Sequence, residues 1–395
     1  MRKLTKETES RLRRRSRLVH LGRDAEASQG FVNVPPFRGS TVLYPDVATL
    51  ESRTQRYTYG THGTPTTDAL AEAWTALAGA AGTILVPSGL AAVVVSLMSA
   101  LSVGDHLLMC DSVYQPTRRF CDGTLKRMGV ETTYYDPLIG GGIAALTRAN
   151  TKVVYVESPG SQSLEVQDVP AIAEAAHARG ACVIADNTWA TPLFFSPHEH
   201  GVDLAIEAGT KYLSGHSDLL LGLVSANAQR LPRLSRTVDE MAIPPGPEDV
   251  FLGLRGLRSM ELRLREAERQ ALALAQWLSE RPEVLRVIHP ALPDDPGHAL
   301  WKRDFSGSSG LFSVVLRPVP KRAVAALLDG LELFGMGYSW GGFESLVVPF
   351  DCAKYRTATR WAPGGPTLRF SVGLEDVEDL KEDLDRGFAR LAAAA

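Results

Sequence analysis

The sequence predicts an α/β protein built on a mostly parallel sheet that is covered on both faces. Three observations lead there. From Pro65 onward, short apolar runs alternate with helical patterns. Several of those runs, such as Ala181-Cys182-Val183-Ile184-Ala185, are apolar throughout, as strands buried between helices are. The chain has 395 residues, 45% hydrophobic and 22% charged, enough for two or three domains and a large core.

The elements follow in order. Residues 1–62 read as an extended arm, with Pro35-Pro36, Pro45 and few periodic apolar positions. Helical patterns cover Asp68–Ala78, Leu90–Leu101, Pro116–Met128 and Ile172–Arg179. Strands are expected at Thr83–Val86, His106–Cys110, Thr132–Tyr135, Val153–Glu157, Cys182–Asp186, Leu204–Glu207 and Gly222–Ser225. After Gly253 the pattern changes to a long helix over Leu257–Ser279, charged in its first half. A second α/β unit follows, with strands near Phe312–Leu316 and Thr367–Ser371 and a closing helix Val377–Ala392. The expected division is an arm over 1–62, a large domain over 63–256 and a smaller domain over 257–395. No repeat of 20–50 residues interrupts this reading.

Composition narrows the function. A net charge of −3 gives the whole molecule no pull toward nucleic acid or membrane. The four cysteines form no CxxC pair, so neither disulfides nor structural zinc is expected, and a reducing cytoplasm fits. The basic run Arg11, Arg13, Arg14, Arg15, Arg17 has no apolar segment after it, which excludes a secretory signal, and Glu7 and Glu9 argue against a transit peptide. That run reads as a solvated arm or the polar face of a short helix. Thr83–Val103 is the most apolar stretch. Pro87-Ser88-Gly89 breaks it, leaving a helix of about fourteen residues that suits a buried position better than a membrane.

The residues that carry chemistry centre on Asp186 and Lys211. Asp186 closes a buried strand. Lys211 follows in the polar loop Gly209-Thr210-Lys211-Tyr212. A strand-end carboxylate followed by a loop lysine suits pyridoxal 5'-phosphate (PLP). The lysine can condense with the aldehyde and the acid can keep the pyridine nitrogen protonated. Ser88-Gly89-Leu90 opens a helix, where exposed N–H groups suit a phosphate; an ordinary strand-to-helix turn is the alternative. Thr210 can add a hydroxyl donor. Tyr114, just past a strand, can lie flat on an aromatic ring or simply pack. Arg369 is a charge inside the apolar strand Thr367–Ser371. It requires either a structural ion pair or a bound carboxylate. His216, Asp218, Asp203 and Glu207 lack metal-ligand spacing. Ile139-Gly140-Gly141-Gly142-Ile143 reads as a loop. No Gly-x-Ser-x-Gly elbow occurs.

The strings around these residues carry a resemblance. Asp186-Asn187-Thr188-Trp189-Ala190, Thr210-Lys211-Tyr212-Leu213 and Gly215-His216-Ser217-Asp218 resemble the Cys/Met-metabolism group of PLP-dependent enzymes. Tyr338-Ser339-Trp340-Gly341-Gly342-Phe343-Glu344-Ser345-Leu346 is similar to the bacterial cystathionine β-lyase branch of that family. Glu157-Ser158-Pro159-Gly160-Ser161, Trp301-Lys302-Arg303-Asp304-Phe305 and Gly373-Leu374-Glu375-Asp376 match as well, and the likeness runs from His20 to Leu391. It implies the fold type I, transferase-like architecture and a carbon–sulfur β-lyase acting on L-cystathionine, a small amino-acid substrate. The γ-lyases and γ-synthases of the family, or a lyase for another S-substituted cysteine, are the alternatives. A non-catalytic relative is a further one.

The resemblance also assigns roles. Lys211 holds PLP and removes a proton. Asp186 meets the ring nitrogen. Tyr114 stacks on the ring and moves protons. Ser88, Gly89, Leu90 and Thr210 meet the phosphate, while Ser339, Trp340 and Arg369 line the substrate pocket. The family segment matching Tyr57–Pro65 crosses to a neighbouring subunit, which implies a homotetramer with shared sites. There Tyr59 matches the tyrosine that reaches cofactor phosphate and substrate. Thr61 stands where an arginine is expected, with His62 next to it, so one neutral hydroxyl replaces a bidentate cation.

Overall fold

The computed structural model describes residues 3–395; Met1 and Arg2, the start of the expected arm, lie outside them. The first sheet has seven strands, ordered β1-β7-β6-β5-β4-β2-β3. They are β1 (Gly82–Val86), β2 (His106–Cys110), β3 (Glu131–Tyr135), β4 (Thr151–Glu157), β5 (Cys182–Asp186), β6 (Leu204–Ala208) and β7 (Gly222–Ala226). All pairings among β2 to β6 are parallel; β7 runs antiparallel to both β1 and β6. β2 and β7 are buried along their whole length, which is why they read as unbroken apolar runs.

A second, smaller sheet is antiparallel, ordered β10-β11-β9-β8, from β8 (Val284–Ile288), β9 (Leu311–Leu316), β10 (Leu346–Phe350) and β11 (Thr367–Ser371). Helices Lys321–Leu328 and Val377–Ala394 pack against each other beside it. The edge strands β8 and β10 were not anticipated. β8 is half solvent-facing. β10 contains Pro349, which an edge strand tolerates because no ladder bond is lost there.

Three expectations need correction. The long helix expected over Leu257–Ser279 starts three residues later, as Met260–Ser279, and a separate helix that was not anticipated, Pro247–Leu257, precedes it. Arg258 at the break turns inward and donates from Nη1 to the carbonyls of Leu18 and Leu21, each at 2.7 Å. Gly256 stands two residues before that break, and the Arg258 contacts hold the chain there. The glycine cluster read as a loop lies within a 3-10 helix, Gly140–Leu146. The arm is not wholly extended or solvated. Helices Lys6–Arg11 and Arg14–His20 form, Leu18 is buried, and Arg14 donates to the Leu193 carbonyl. Beyond Gly30 several large apolar side chains stand in solvent, with Phe31 71% and Leu43 85% exposed.

The helix expected over Pro116–Met128 forms with a π-helical turn at Cys121–Leu125 inside it. Among the described residues no helix is long and apolar enough to cross a membrane.

Candidate functional site

The site forms where β2, β4, β5 and β6 end, the side of an open parallel sheet that receives ligands. Lys211 lies in the turn after β6, its N–H bonded to the Ala208 carbonyl at 3.0 Å. Its Nζ donates to Ser339 Oγ at 2.6 Å and stands 5.3 Å from the centre of the Trp340 ring. Burial, then the Arg369 charge, lowers the Lys211 amine to about 8; Asp186 pulls weakly the other way. A fraction of this amine is therefore neutral, and able to act as a base, at physiological pH.

Asp186 ends β5 with one oxygen fixed. Its Oδ1 accepts from the Thr188 amide at 3.0 Å and the Thr188 hydroxyl at 2.6 Å, and Thr188 Oγ1 in turn accepts from the Ala208 amide at 2.9 Å. Burial pushes this carboxyl upward against those bonds. Such a group is completed by a cationic partner.

Helix Gly89–Ala100 begins against the end of β6. Ser88 caps it, Oγ accepting from Ala91 N at 3.1 Å, so the N–H groups of Gly89 and Leu90 have no acceptor within the helix. A Cβ at Gly89 would meet Ala208 Cβ at 2.6 Å, so only glycine lets the helix start close over the strand leading to Lys211. Thr210 Oγ1 accepts from Leu221 N at 3.2 Å and reaches the Leu221 carbonyl at 3.4 Å, a long bond that a better acceptor displaces.

Arg369 enters from β11. Its Nη2 donates to the Ser339 carbonyl at 3.0 Å, while Nε is buried with no acceptor. Arg369 forms no ion pair among the described residues, so none of them supplies the structural carboxylate that one sequence reading required. Ser339 thus bridges Lys211 and Arg369, with its backbone at φ +83, a conformation a side-chain-bearing residue holds only under constraint. Tyr114, nearly half exposed, starts a helix just beyond β2 and donates its amide to Glu157 Oε2 at 2.8 Å. Burial, then Glu157 and Asp186, raises its phenol, which stays protonated at neutral pH.

Lys211, Asp186, Ser339, Trp340, Arg369, Tyr114 and the Ser88–Leu90 helix start therefore gather within one chain. Tyr59 and Thr61 do not join them. Thr61 is exposed in the turn Gly60–His62, and no bond ties either residue to the rest of the site. Tyr59 is 48% exposed, and the neighbouring His62 bonds only locally, Nδ1 lying 2.9 Å from Thr58 Oγ1.

Two buried carboxyls were named in the sequence reading without a role in this site. Glu157 ends β4 directly beside Asp186, and Glu207 lies in β6 with neither oxygen bonded. Burial, then the Asp186 charge, raises both well above the carboxylate range, so both are neutral acids. Glu157 closes a buried strand as Asp186 does, a signal that was visible in the sequence.

The lowered Lys211 amine has a measurable consequence. Its folded value lies below its ordinary 10.5, so between about 8 and 10.5 the folded chain holds fewer protons than the unfolded chain, and stability rises with pH through that window. In the cofactor-free protein, Lys211→Met is expected to add roughly 3 kcal/mol near neutral pH. The gain should shrink above about pH 8 and vanish near 10.5 in urea melts.

Comparisons with known proteins agree on a family. The model for Cys/Met metabolism PLP-dependent enzymes matches residues 15–389. The chain is 55% identical to a putative cystathionine beta-lyase of Rhizobium johnstonii over 96% of both chains. It is 41% identical to cystathionine beta-lyase MetC of Escherichia coli, over 95% of this chain and 98% of that one. The structure resembles that of cystathionine gamma synthase from Xanthomonas oryzae, with a TM-score of 0.89 at 30% identity, covering 97% of this chain and 100% of the other.

Proposed function

Because the chain belongs to the Cys/Met metabolism PLP-dependent enzymes, we propose that it is a carbon–sulfur β-lyase that cleaves L-cystathionine to homocysteine, pyruvate and ammonia. The observation that carries this reading is the Ser339 bridge, which sets a lysine of lowered basicity beside an arginine with a vacant buried donor. The similarity to cystathionine β-lyases supports the choice of substrate.

The residues fit the cofactor. The free N–H groups of Gly89 and Leu90 would receive its phosphate, with Ser88 and Thr210 beside them. The raised carboxyl of Asp186 would gain the cation it lacks from a protonated ring nitrogen. Lys211 would hold the aldehyde carbon, and Tyr114 would cover the ring. When bound, PLP supplies an electron sink for the negative charge left at the substrate Cα.

The chain's own groups do the rest. Arg369 directs Nε and an Nη toward the α-carboxylate, fixing which side of Cα faces Lys211. The Lys211 amine, neutral above about 8, removes the Cα proton. Trp340 and Ser339 wall the pocket on the side of that amine, and the protonated Tyr114 phenol is a donor for the leaving sulfur. Breaking the Cβ–S bond releases homocysteine, and water converts the remaining three-carbon fragment to pyruvate and ammonia.

Tyr59 and Thr61 act in this reading from a neighbouring subunit of a homotetramer. The exposed side chains of Phe31, Leu43 and Val47 give that subunit an apolar face to cover. The four buried, unpaired cysteines are in keeping with a cytoplasmic location.

The test is product analysis with L-cystathionine. Pyruvate with homocysteine is expected. Formation of 2-oxobutyrate with cysteine would instead establish γ-elimination, the alternative within the same family. Absence of both sets would sink the substrate assignment.

A further inference from the structure

The connection between β10 and β11, residues 351–366, leaves the small sheet and lies on the large one. It is held there by a carboxylate outside the residues discussed above. Asp111 follows β2, three residues before Tyr114, and is fully buried. Its Oδ1 accepts from Thr357 N at 3.0 Å and from Arg118 Nη2. Its Oδ2 accepts from Ala358 N at 3.1 Å, Thr359 N at 2.8 Å and Thr359 Oγ1 at 2.7 Å. Five bonds use the whole acceptor capacity of a carboxylate, which has about four lone-pair sites. They outweigh burial and keep Asp111 ionised.

Arg118 completes the joint. It lies one helical turn after Tyr114, its N–H bonded to the Tyr114 carbonyl at 3.1 Å. Its Nη1 donates to Thr357 Oγ1 at 3.3 Å, and its guanidinium lies 3.5 Å above the centre of the Tyr134 ring. Two further ties reinforce the same segment. Arg356 Nη1 meets Glu165 Oε1 at 2.6 Å, and the Tyr355 hydroxyl donates to Gln162 Oε1 at 3.0 Å.

The two ends of this joint lead to opposite walls of the site. From Asp111 the chain runs to Tyr114; from Thr359 it runs into β11 and Arg369. Tyr114 and Arg369 come from different sheets and are close enough to act on each other electrostatically. We infer that Asp111 is a positioning residue, which sets the spacing between Tyr114 and Arg369 by clamping the 357–359 turn to the loop after β2. This rests on the reading that Arg369 receives the substrate carboxylate. The clamp then acts on substrate affinity and orientation through Arg369, while Lys211, which takes the Cα proton, keeps its place.

An amide at position 111 would keep one acceptor and turn a donor toward the amides of residues 357–359. In the PLP-loaded enzyme, Asp111→Asn is expected to raise KM for L-cystathionine about 10-fold. Turnover per bound cofactor should change much less, and the cofactor absorbance should not change. Thr359→Val removes the hydroxyl's bond to Asp111 together with a long 3.4 Å bond accepted from Arg356 Nη1, and should raise KM about 3-fold. The dissociation constant of L-alanine, read from the cofactor absorbance, should rise in parallel, because it needs only the carboxylate and amine contacts.

A purely structural role predicts otherwise: activity falls in proportion to lost folded protein, with KM and L-alanine binding unchanged. That result would overturn the inference. Should Asp111→Asn fail to fold, Thr359→Val and Thr357→Ala decide it by the same two constants. L-alanine binding also separates this inference from the substrate assignment. If the wild type leaves cystathionine intact, weaker alanine binding in the variants still supports the clamp, and unchanged binding refutes it.

Discussion

Replacing Lys211 with Ala is expected to lower kcat by about 10⁴-fold, the upper range for loss of a general base. It should also remove the visible absorbance that lysine-held PLP gives. The size of the effect follows from what remains. Glu157 and Glu207 are neutral acids, raised by burial and by Asp186. Tyr114 is a protonated phenol. Arg369 has no accessible neutral form as an arginine. No other side chain in the cluster offers a free electron pair on an amine. The folded state should not suffer, because a buried ammonium is removed and Ser339 can turn its hydroxyl elsewhere. Steady-state assays and a visible spectrum after PLP reconstitution check both effects. Near-normal turnover in the variant would refute Lys211 as the base.

The same cluster shows which parts of the molecule were legible in the sequence. β2, β5 and β11 lie within their expected limits, His106–Cys110, Cys182–Asp186 and Thr367–Ser371, because central strands are apolar on both faces and their ends are abrupt. β8 and β10 were hidden for the opposite reason. At a sheet edge, half the side chains face water, and Pro349 broke the pattern further. The division of Pro247–Leu257 from Met260–Ser279 depends on Arg258 reaching carbonyls about 240 residues away, which local spacing does not encode.

The site divides the same way. Asp186 and Lys211 were legible because each lies close to the end of its strand. The contact of Lys211 with Ser339 crosses 128 residues, and only the resemblance placed them in one pocket. Asp111 carries no local signal in the sequence. Its meaning lies in three amides some 250 positions further on, which the fold alone brings to it. Tyr59 and Thr61 remain apart from the site within one chain, so the role that the resemblance implies for them requires a second copy.

Arg369→Leu is expected to raise KM about 100-fold, corresponding to roughly 3 kcal/mol, while kcat for saturating substrate falls less than about 10-fold. The argument starts from the partners of the guanidinium. Nη2 is committed to the Ser339 carbonyl and Nε is buried without an acceptor, so the chain leaves a charged donor unpaid at a position between Val348 and Ser313 in the sheet. Burial lowers its proton affinity, the mark of a cation that lacks an anion. A substrate carboxylate supplies one, and two charge-assisted bonds of about 1.5–3 kcal/mol each account for the loss on truncation. Arg369→Lys should recover only part of the affinity, since an ammonium cannot make the paired bonds of a planar fork. Thermal stability separates this from a folding defect. Removing an unpaired buried charge is neutral or stabilising, so the leucine variant should melt no lower than the wild type. An arginine serving only the fold would show the reverse: a lower melting temperature with KM unmoved.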